Sequence, residues 1–127
     1  MDISKEELIK KAREAKLYSH SPYSSFRVGA ALLCSDGKVY LGTNVENLSY
    51  GATCCAERSA FFSAISNGNK EFLAIALTAD KTPCYPCGIC RQVISEFCDS
   101  NFKIYIDNGD RVIEKTVGDL LPDSFGF

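Results

Sequence analysis

Apolar side chains near the start of the chain recur at the spacing of an amphipathic helix. Leu8, Ala12 and Ala15 lie three or four residues apart, which places them on one helical face. Residues 4–7 have the form of a capping box, in which a serine side chain caps the first turn. The pattern predicts a helix that starts there and ends near Ser19.

Two further stretches have helical spacing. One covers residues 55–67 and ends at an Asn-Gly pair, and the other opens at Pro86, a residue type that suits the first turn of a helix. The predicted buried stripes of these helices consist of Phe61, Ala64 and Ile65 and of Val93, Ile94 and Phe97.

Short apolar and β-branched runs predict five strands, at residues 26–34, 38–43, 72–78, 103–107 and 112–116. The first two flank Asp36-Gly37, a strong hairpin signal, and the third is continuously apolar, as expected of a strand covered on both faces. Strands separated by helices favour a sheet with helices packed on it, and the hairpin makes that sheet mixed. We therefore predict an α/β fold over a single domain, residues 1–127: a three-layer α/β/α sandwich around a five-stranded mixed sheet.

Composition and charge narrow the possible functions. The chain has 127 residues, with 14 basic and 16 acidic side chains and a net charge of −2. No run of Lys or Arg marks a surface for nucleic acid or for an anionic membrane. The first ten residues carry charge where a secretion signal needs an apolar stretch. We therefore expect a cytoplasmic protein with no nucleic-acid or membrane partner.

Seven cysteines in such a protein indicate chemistry rather than disulfides, because clustered cysteines in a reducing compartment more often bind metal or react. Three lie at equal spacing in PCYPCGIC, residues 83–90. Cys87 and Cys90 are one turn apart on the helix that opens at Pro86, and Cys55 also lies where a helix begins. Free N–H groups at helix starts stabilise thiolates, the form that binds metal.

If these two helix starts meet, Cys55, Cys87 and Cys90 surround one ion. A catalytic zinc site has three protein ligands and leaves one position open to water. Glu57 follows Cys55 by two residues, so its carboxylate could exchange protons with a bound water. The spacing thus indicates a catalytic metal site.

The cysteine spacing also fits other metal centres. Cys84, Cys87 and Cys90 form a set that could hold a [4Fe–4S] cluster, with Cys55 or Cys98 as the fourth ligand. Four thiolates could also form a closed, purely structural zinc site. The iron–sulfur interpretation gives the nearby carboxylate no role.

Four stretches together resemble the zinc nucleoside deaminases, and among them the small homotetrameric cytidine deaminases. They are SPYSSFRVGAAL at 21–32, GTNVENLSYGATCCAERSA at 42–60, PCGICRQVISE at 86–96 and LLPDSF at 120–125. They occur in the family's order and span nearly the whole chain. The resemblance implies a cytidine deaminase-like fold, one Zn²⁺ per chain and a homotetramer as the active form.

By position, the resemblance assigns a role to each motif residue. The metal ligands are Cys55, Cys87 and Cys90, the proton shuttle is Glu57, and Arg58 offsets the charge of the thiolates. Asn44 and Glu46 bind the ribose hydroxyls, Phe26 and the backbone at Ala56 position the base, and Phe125 reaches the site of a neighbouring subunit. The sequence departs from the family pattern at Cys54 and Cys84, where other residues are usual.

The implied reaction is hydrolytic deamination of cytidine and 2′-deoxycytidine in pyrimidine salvage. Zinc-bound hydroxide attacks C4 of cytosine, and Glu57 protonates N3 and then helps to deliver a proton to the departing amine. The products are uridine or 2′-deoxyuridine and ammonia. Deamination of another aminopyrimidine, such as blasticidin S, is the nearest rival, and the Asn44-Val45-Glu46 segment favours a plain nucleoside.

Overall fold

Residues 3–126 are described by a computed structural model of the chain. Over that range the helices are α1 (Lys5–Lys16), α2 (Ala56–Ser66), α3 (Gly88–Phe97) and α4 (Val117–Leu120), and the strands are β1 (Val28–Cys34), β2 (Val39–Thr43), β3 (Phe72–Ala79), β4 (Lys103–Asp107) and β5 (Val112–Thr116). A short 3₁₀ turn, Tyr50–Ala52, precedes α2. All five predicted strands and all three predicted helices are present, within a few residues of the predicted bounds.

The five strands form one mixed sheet in the order β2-β1-β3-β4-β5. Only β3 and β4 are parallel, because the connection between them runs through α3 and is long enough to return the chain to the same end of the sheet. The other neighbouring pairs are antiparallel. Gly37, in the turn between β1 and β2, has a φ of 93°, a conformation that glycine adopts without strain.

Helices cover both faces of this sheet. α1 packs on one face, where Leu8, Ile9 and Ala12 belong to a buried cluster with β1 and β3. α2 and α3 pack on the other face around Phe61 and Ile94. The predicted α/β/α sandwich and mixed sheet are therefore confirmed. Among the described residues, no helix is both long enough and apolar enough to cross a membrane.

The helix ends differ from the predicted ones. The Ser4 hydroxyl caps α1, accepting from the Glu7 amide at 3.1 Å, but the helix ends at Lys16 rather than near Ser19. The amides that follow bond to carbonyls three residues back, so the chain continues as a tighter 3₁₀-type turn. The pattern does not predict α4, because four residues are too few to show a helical period.

Burial also differs from the predicted stripes at three positions. Ile65, Leu73 and Phe97 are exposed, although the pattern places them in the core. Each lies at or next to an end of its helix or strand, where periodicity alone does not show how far the buried face extends. Phe97 covers the edge of the core, with its ring 6.1 Å from that of buried Phe61.

Gly42 of β2 allows α2 to lie very close to the sheet. A Cβ atom at this position would lie 2.3 Å from the carbonyl oxygen of Ala56 and 2.5 Å from the amide nitrogen of Ala60. Both are backbone atoms, so the helix itself would have to move. Because Ala56 is the first residue of α2, the glycine sets the position of that helix start on the sheet.

We expect Gly42→Ala to lower the free energy of unfolding by about 1–3 kcal/mol, the usual cost of overpacking a close-packed core. Gly51→Ala is the matched control, since its added Cβ meets nothing within 4 Å. The control should leave the free energy of unfolding within about 0.5 kcal/mol of the parent value. Urea titrations followed by circular dichroism measure both, and equal stability of the two variants would contradict the packing argument.

Candidate active site

Two helix starts bring three thiols together. Cys55 immediately precedes α2, Cys87 immediately precedes α3, and Cys90 lies in the first turn of α3. The three sulfur atoms all lie within 4.8 Å of one another, and Cys55 Sγ and Cys87 Sγ are 3.8 Å apart. The sequence predicts a three-thiol site only if the two helix starts meet. In the structure they do meet.

This donor set suits zinc. Three converging sulfur atoms can together bind one tetrahedrally coordinated ion and leave its fourth position for water. A hydrogen bond from the Cys90 thiol, with a further one from Arg58, lowers the pKa of Cys55 to about 5. The same thiol–thiolate hydrogen bond, together with burial, raises the pKa of Cys90. A dication bound by the three sulfur atoms would stabilise the thiolate form of all three cysteines.

Arg58 faces the thiol cluster from the first turn of α2. Its Nη2 donates to Cys55 Sγ at 3.3 Å, and this hydrogen bond is the main reason why the pKa of Arg58 lies above its ordinary value. Zinc with three thiolates carries a formal charge of −1, which weakens its pull on a bound water. A guanidinium beside one sulfur offsets part of that charge.

Glu57 places a buried carboxyl on the same helical turn. It follows Cys55 by two residues, and only 5% of it is exposed. Burial raises the pKa of this carboxyl to about 7, because removal from water disfavours the charged form. A carboxyl that titrates near neutrality can both accept and release a proton.

Cys84 and Cys98 lie outside the cluster. Within residues 3–126, the group of side chains positioned to share one ion consists of Cys55, Cys87 and Cys90. Burial raises the pKa of the Cys98 thiol to about 12, because this side chain is partly buried against the core. A four-cysteine centre, whether [4Fe–4S] or structural zinc, therefore lacks its fourth ligand in the described part of the chain.

Asn44 lies just after β2, and its side-chain amide is already oriented. Its Oδ1 accepts from the Val28 amide at 2.9 Å and from the Ser19 hydroxyl, and its Nδ2 donates to the Phe26 carbonyl at 2.8 Å. An amide nitrogen has two hydrogens, so one N–H has no partner among the described residues. The side chain therefore offers a ligand a donor rather than an acceptor.

Glu46 holds the loop that precedes β1. One carboxylate oxygen accepts from the amides of Tyr23 and Ser24 at 2.9 and 3.1 Å, and the other accepts from the Ser24 hydroxyl. These hydrogen bonds, above all the one from the hydroxyl, hold the pKa of Glu46 below its ordinary value. The side chain is therefore ionised near neutrality and acts only as an acceptor.

Ser19 and Ser24 are supporting residues that the sequence pattern does not reveal. Ser19 bonds to Asn44, and Ser24 bonds both to Glu46 and to the amide of Phe26, at 3.1 Å. Each serine is more than twenty residues away from the acidic or amide residue that it orients. The only sequence signal is the high serine content of residues 19–25, which indicates a loop.

Ala56 and Phe125 have contrasting surroundings. Ala56 is the first residue of α2 and is fully buried. Phe125 is 72% exposed near the C-terminus, and its carbonyl accepts from Gln92 Nε2 at 3.2 Å. This hydrogen bond anchors the tail beside the helix that carries Cys90.

Comparisons with known proteins agree with this geometry. Residues 2–106 match the family model described as the cytidine and deoxycytidylate deaminase zinc-binding region. The chain is 49% identical to a cytidine deaminase of Sporosarcina psychrophila over 128 residues, covering 98% of this chain and 92% of that protein. It is 50% identical to a cytidine deaminase of Halalkalibacterium halodurans over 126 residues, covering 97% of this chain and 95% of that protein.

A solved structure has the same fold. The crystal structure of a cytidine deaminase from Burkholderia pseudomallei matches with a TM-score of 0.93 and 45% sequence identity, covering 97% of this chain and 100% of that one. The family match, the relatives near half identity and the shared fold accompany a thiol cluster suited to zinc. The chain therefore belongs to the family of proteins that carry the cytidine and deoxycytidylate deaminase zinc-binding region.

Proposed function

We propose that this protein is a zinc-dependent cytidine deaminase, which hydrolyses cytidine and 2′-deoxycytidine to uridine and 2′-deoxyuridine with release of ammonia. The observation that carries the proposal is the buried carboxyl of Glu57 beside three converging thiols, in a chain of a zinc-binding deaminase family. Incubating the zinc-loaded protein with cytidine, while following the aminopyrimidine absorbance and free ammonia, tests it. An inactive protein with a full complement of zinc would overturn it.

Cys55, Cys87 and Cys90 would hold one zinc ion per chain. When bound there, zinc supplies a Lewis acid that makes water acidic enough to act as a nucleophile near neutral pH. Arg58 supports that acidity, because its hydrogen bond to Cys55 withdraws negative charge from the thiolate set.

Glu57 would carry the protons of the reaction. One of its carboxylate oxygens takes a proton from the attacking water and gives it to N3 of the cytosine ring. It then passes the second water proton to the amine on C4, and the C4–N bond breaks as the C4 carbonyl forms. Burial suits this role, because a carboxyl kept from bulk water delivers its proton to the substrate.

Asn44 and Glu46 would bind the ribose by opposite means. Asn44 offers an N–H to a sugar oxygen, whereas Glu46 accepts from a sugar hydroxyl. A single hydroxyl can satisfy both, since it donates and accepts. Phe26 would cover a face of the pyrimidine ring, and the backbone at Ala56 would meet the polar edge of the base.

The active form would be a cytoplasmic homotetramer acting in pyrimidine salvage, with residues 1–127 as one deaminase domain. Thiolate ligands persist in such a reducing compartment. The resemblance to the homotetrameric deaminases supports an oligomer, whose interfaces would cover exposed apolar side chains. Between 63% and 79% is exposed for each of Tyr18, Leu48, Tyr50, Ile89 and Phe125. Phe125 would be covered by a neighbouring subunit and would close that subunit's pyrimidine pocket.

Replacing Cys55, Cys87 or Cys90 by alanine should remove zinc and activity together. Cys84→Ala is the matched control, because this thiol lies in the same loop but outside the cluster; it should retain about one zinc per chain and normal turnover. Metal analysis after gel filtration and cytidine assays measure the two properties. If Cys84→Ala lost as much zinc as the variants of Cys55, Cys87 and Cys90, the ligand assignment would be wrong.

Glu57→Gln should retain zinc and lose most of the activity. The amide keeps the size of the side chain but cannot shuttle protons, so kcat should fall by about 10²–10⁴-fold, the usual contribution of a general acid–base group. Steady-state kinetics on protein of measured zinc content give the result. Near-normal turnover would remove Glu57 from the mechanism.

Free cytosine should be a much poorer substrate than cytidine. Without the sugar hydroxyl, the donor of buried Asn44 loses its partner, at a cost of about 1–3 kcal/mol, or roughly 5–150-fold in kcat/KM. Asn44→Ala should narrow the difference between the two substrates. Equal kcat/KM for cytosine and cytidine in the parent protein would count against sugar recognition here.

Removal of residues 124–127 should raise KM for cytidine or abolish turnover while leaving the zinc content unchanged, because the proposed role of Phe125 is to close the pocket and not to bind metal. Light scattering and kinetics on full-length and shortened protein test this together. A full-length protein that was fully active as a monomer of 13.9 kDa would contradict a pocket shared between subunits.

A further inference from the structure

We propose that Arg91 is a positioning residue of the metal site. Its guanidinium ties the turn that carries Cys87 to the end of α4, and so couples the retention of zinc to the C-terminal segment. The inference rests on the proposed function for one point only, the assignment of Cys87 as a metal ligand. It makes no use of substrate turnover.

The Arg91 side chain bridges two distant parts of the chain. Its Nε donates to the carbonyl of Pro86 at 2.7 Å, and its Nη1 donates to the carbonyl of Leu120 at 2.9 Å. A guanidinium is planar and presents its donors in a fixed fork. The two bonds therefore set the positions of both carbonyls relative to α3, the helix to which Arg91 belongs.

Arg91 holds the two peptide groups that flank Cys87. Its side chain bonds to the Pro86 carbonyl, and its own amide donates to the Cys87 carbonyl at 2.9 Å. Pro86 is fully buried, whereas Cys87 is exposed and makes no side-chain cap to α3. The direction of the Cys87 thiol therefore depends on the backbone that Arg91 restrains.

The other end of the Arg91 bridge is α4, a short helix with hydrogen bonds at both ends. α4 begins with a capping box between Thr116 and Asp119, and the Leu121 amide donates to the Val117 carbonyl at 2.8 Å. Leu120 packs against the main core. The last carbonyls of a helix have no partner within it, and Arg91 supplies the partner for the carbonyl of Leu120.

Gln92, the next residue of α3, provides a matched comparison. Its Nε2 donates to the carbonyl of Phe125 at 3.2 Å, so it also joins α3 to the C-terminal segment. That contact lies beyond α4 and does not involve Pro86. A variant of Gln92 therefore disturbs the tail without loosening the Cys87 turn.

The test is the rate at which zinc-loaded, full-length protein releases zinc to an excess of a chromogenic chelator, at a temperature where circular dichroism shows each variant folded. Arg91→Ala should release zinc about 10–100-fold faster, the typical effect of losing a group that orients a ligand. Arg91→Lys keeps the charge and the aliphatic stem but not the fork, and should release zinc at least several-fold faster. Gln92→Ala should release it at the parental rate. A parental rate in Arg91→Lys, whether or not Arg91→Ala folds, would overturn the proposal.

The coupling to the C-terminal segment has a separate test in the same assay. Removing residues 120–127 deletes the carbonyl of Leu120 that Arg91 binds, so release should accelerate in the parent but not further in an Arg91 variant, where the bridge is already lost. Removing only residues 124–127 keeps α4 and should leave the rate unchanged. Additive effects of the longer deletion and the Arg91 substitution would overturn the coupling. A zinc-loaded parent that failed to deaminate cytidine would overturn the proposed function but leave this assay interpretable.

Discussion

Three thiols must lie within bonding distance of one ion, although the chain carries them on two different helices. Like charges repel, so thiolates stay together only when a rigid framework or a cation holds them. The framework is the sheet face on which α2 and α3 both pack. Gly42 brings the first turn of α2 against β2, with no room for even one more carbon atom. A shift of either helix start would therefore open the thiol cluster.

The first turn of α2 concentrates three different chemical functions. Cys55 supplies a sulfur, Glu57 a buried carboxyl and Arg58 a guanidinium that bonds to that sulfur. Successive residues of a helix point in different directions, so neighbours in sequence can serve the ion, the proton and the local charge separately. The helix dipole favours negative charge at this end, which stabilises the thiolates. Burial acts in the opposite sense on Glu57 and brings its pKa near neutrality.

The loop before β1 and the segment after β2 form a polar unit that is organised without a ligand. Asn44 and Glu46 each satisfy several hydrogen bonds of this loop, so their side chains cannot reorient without breaking them. A preformed site pays less ordering entropy when a ligand binds. The two side chains differ in what they offer a ligand. Asn44 can only donate a further hydrogen bond, and Glu46 can only accept one.

The sequence by itself determined the local elements and the candidate chemistry. Strands, helix starts and the α/β/α class follow from periodicity, turn residues and caps, which act over a few residues. Cys87 and Cys90 could be paired because a helix places i and i+3 together. Local spacing left open whether Cys55, thirty-two residues before Cys87, joins them; the family resemblance named it as a ligand. The tertiary structure brings its sulfur to the other two and leaves Cys84 and Cys98 outside the cluster. The contacts of Ser19, Ser24 and Arg91 are also decided by the tertiary structure. Their partners lie far along the chain, and serine and arginine are too common on protein surfaces for residue type alone to mark them, so these contacts exist only once the sheet and helices have packed.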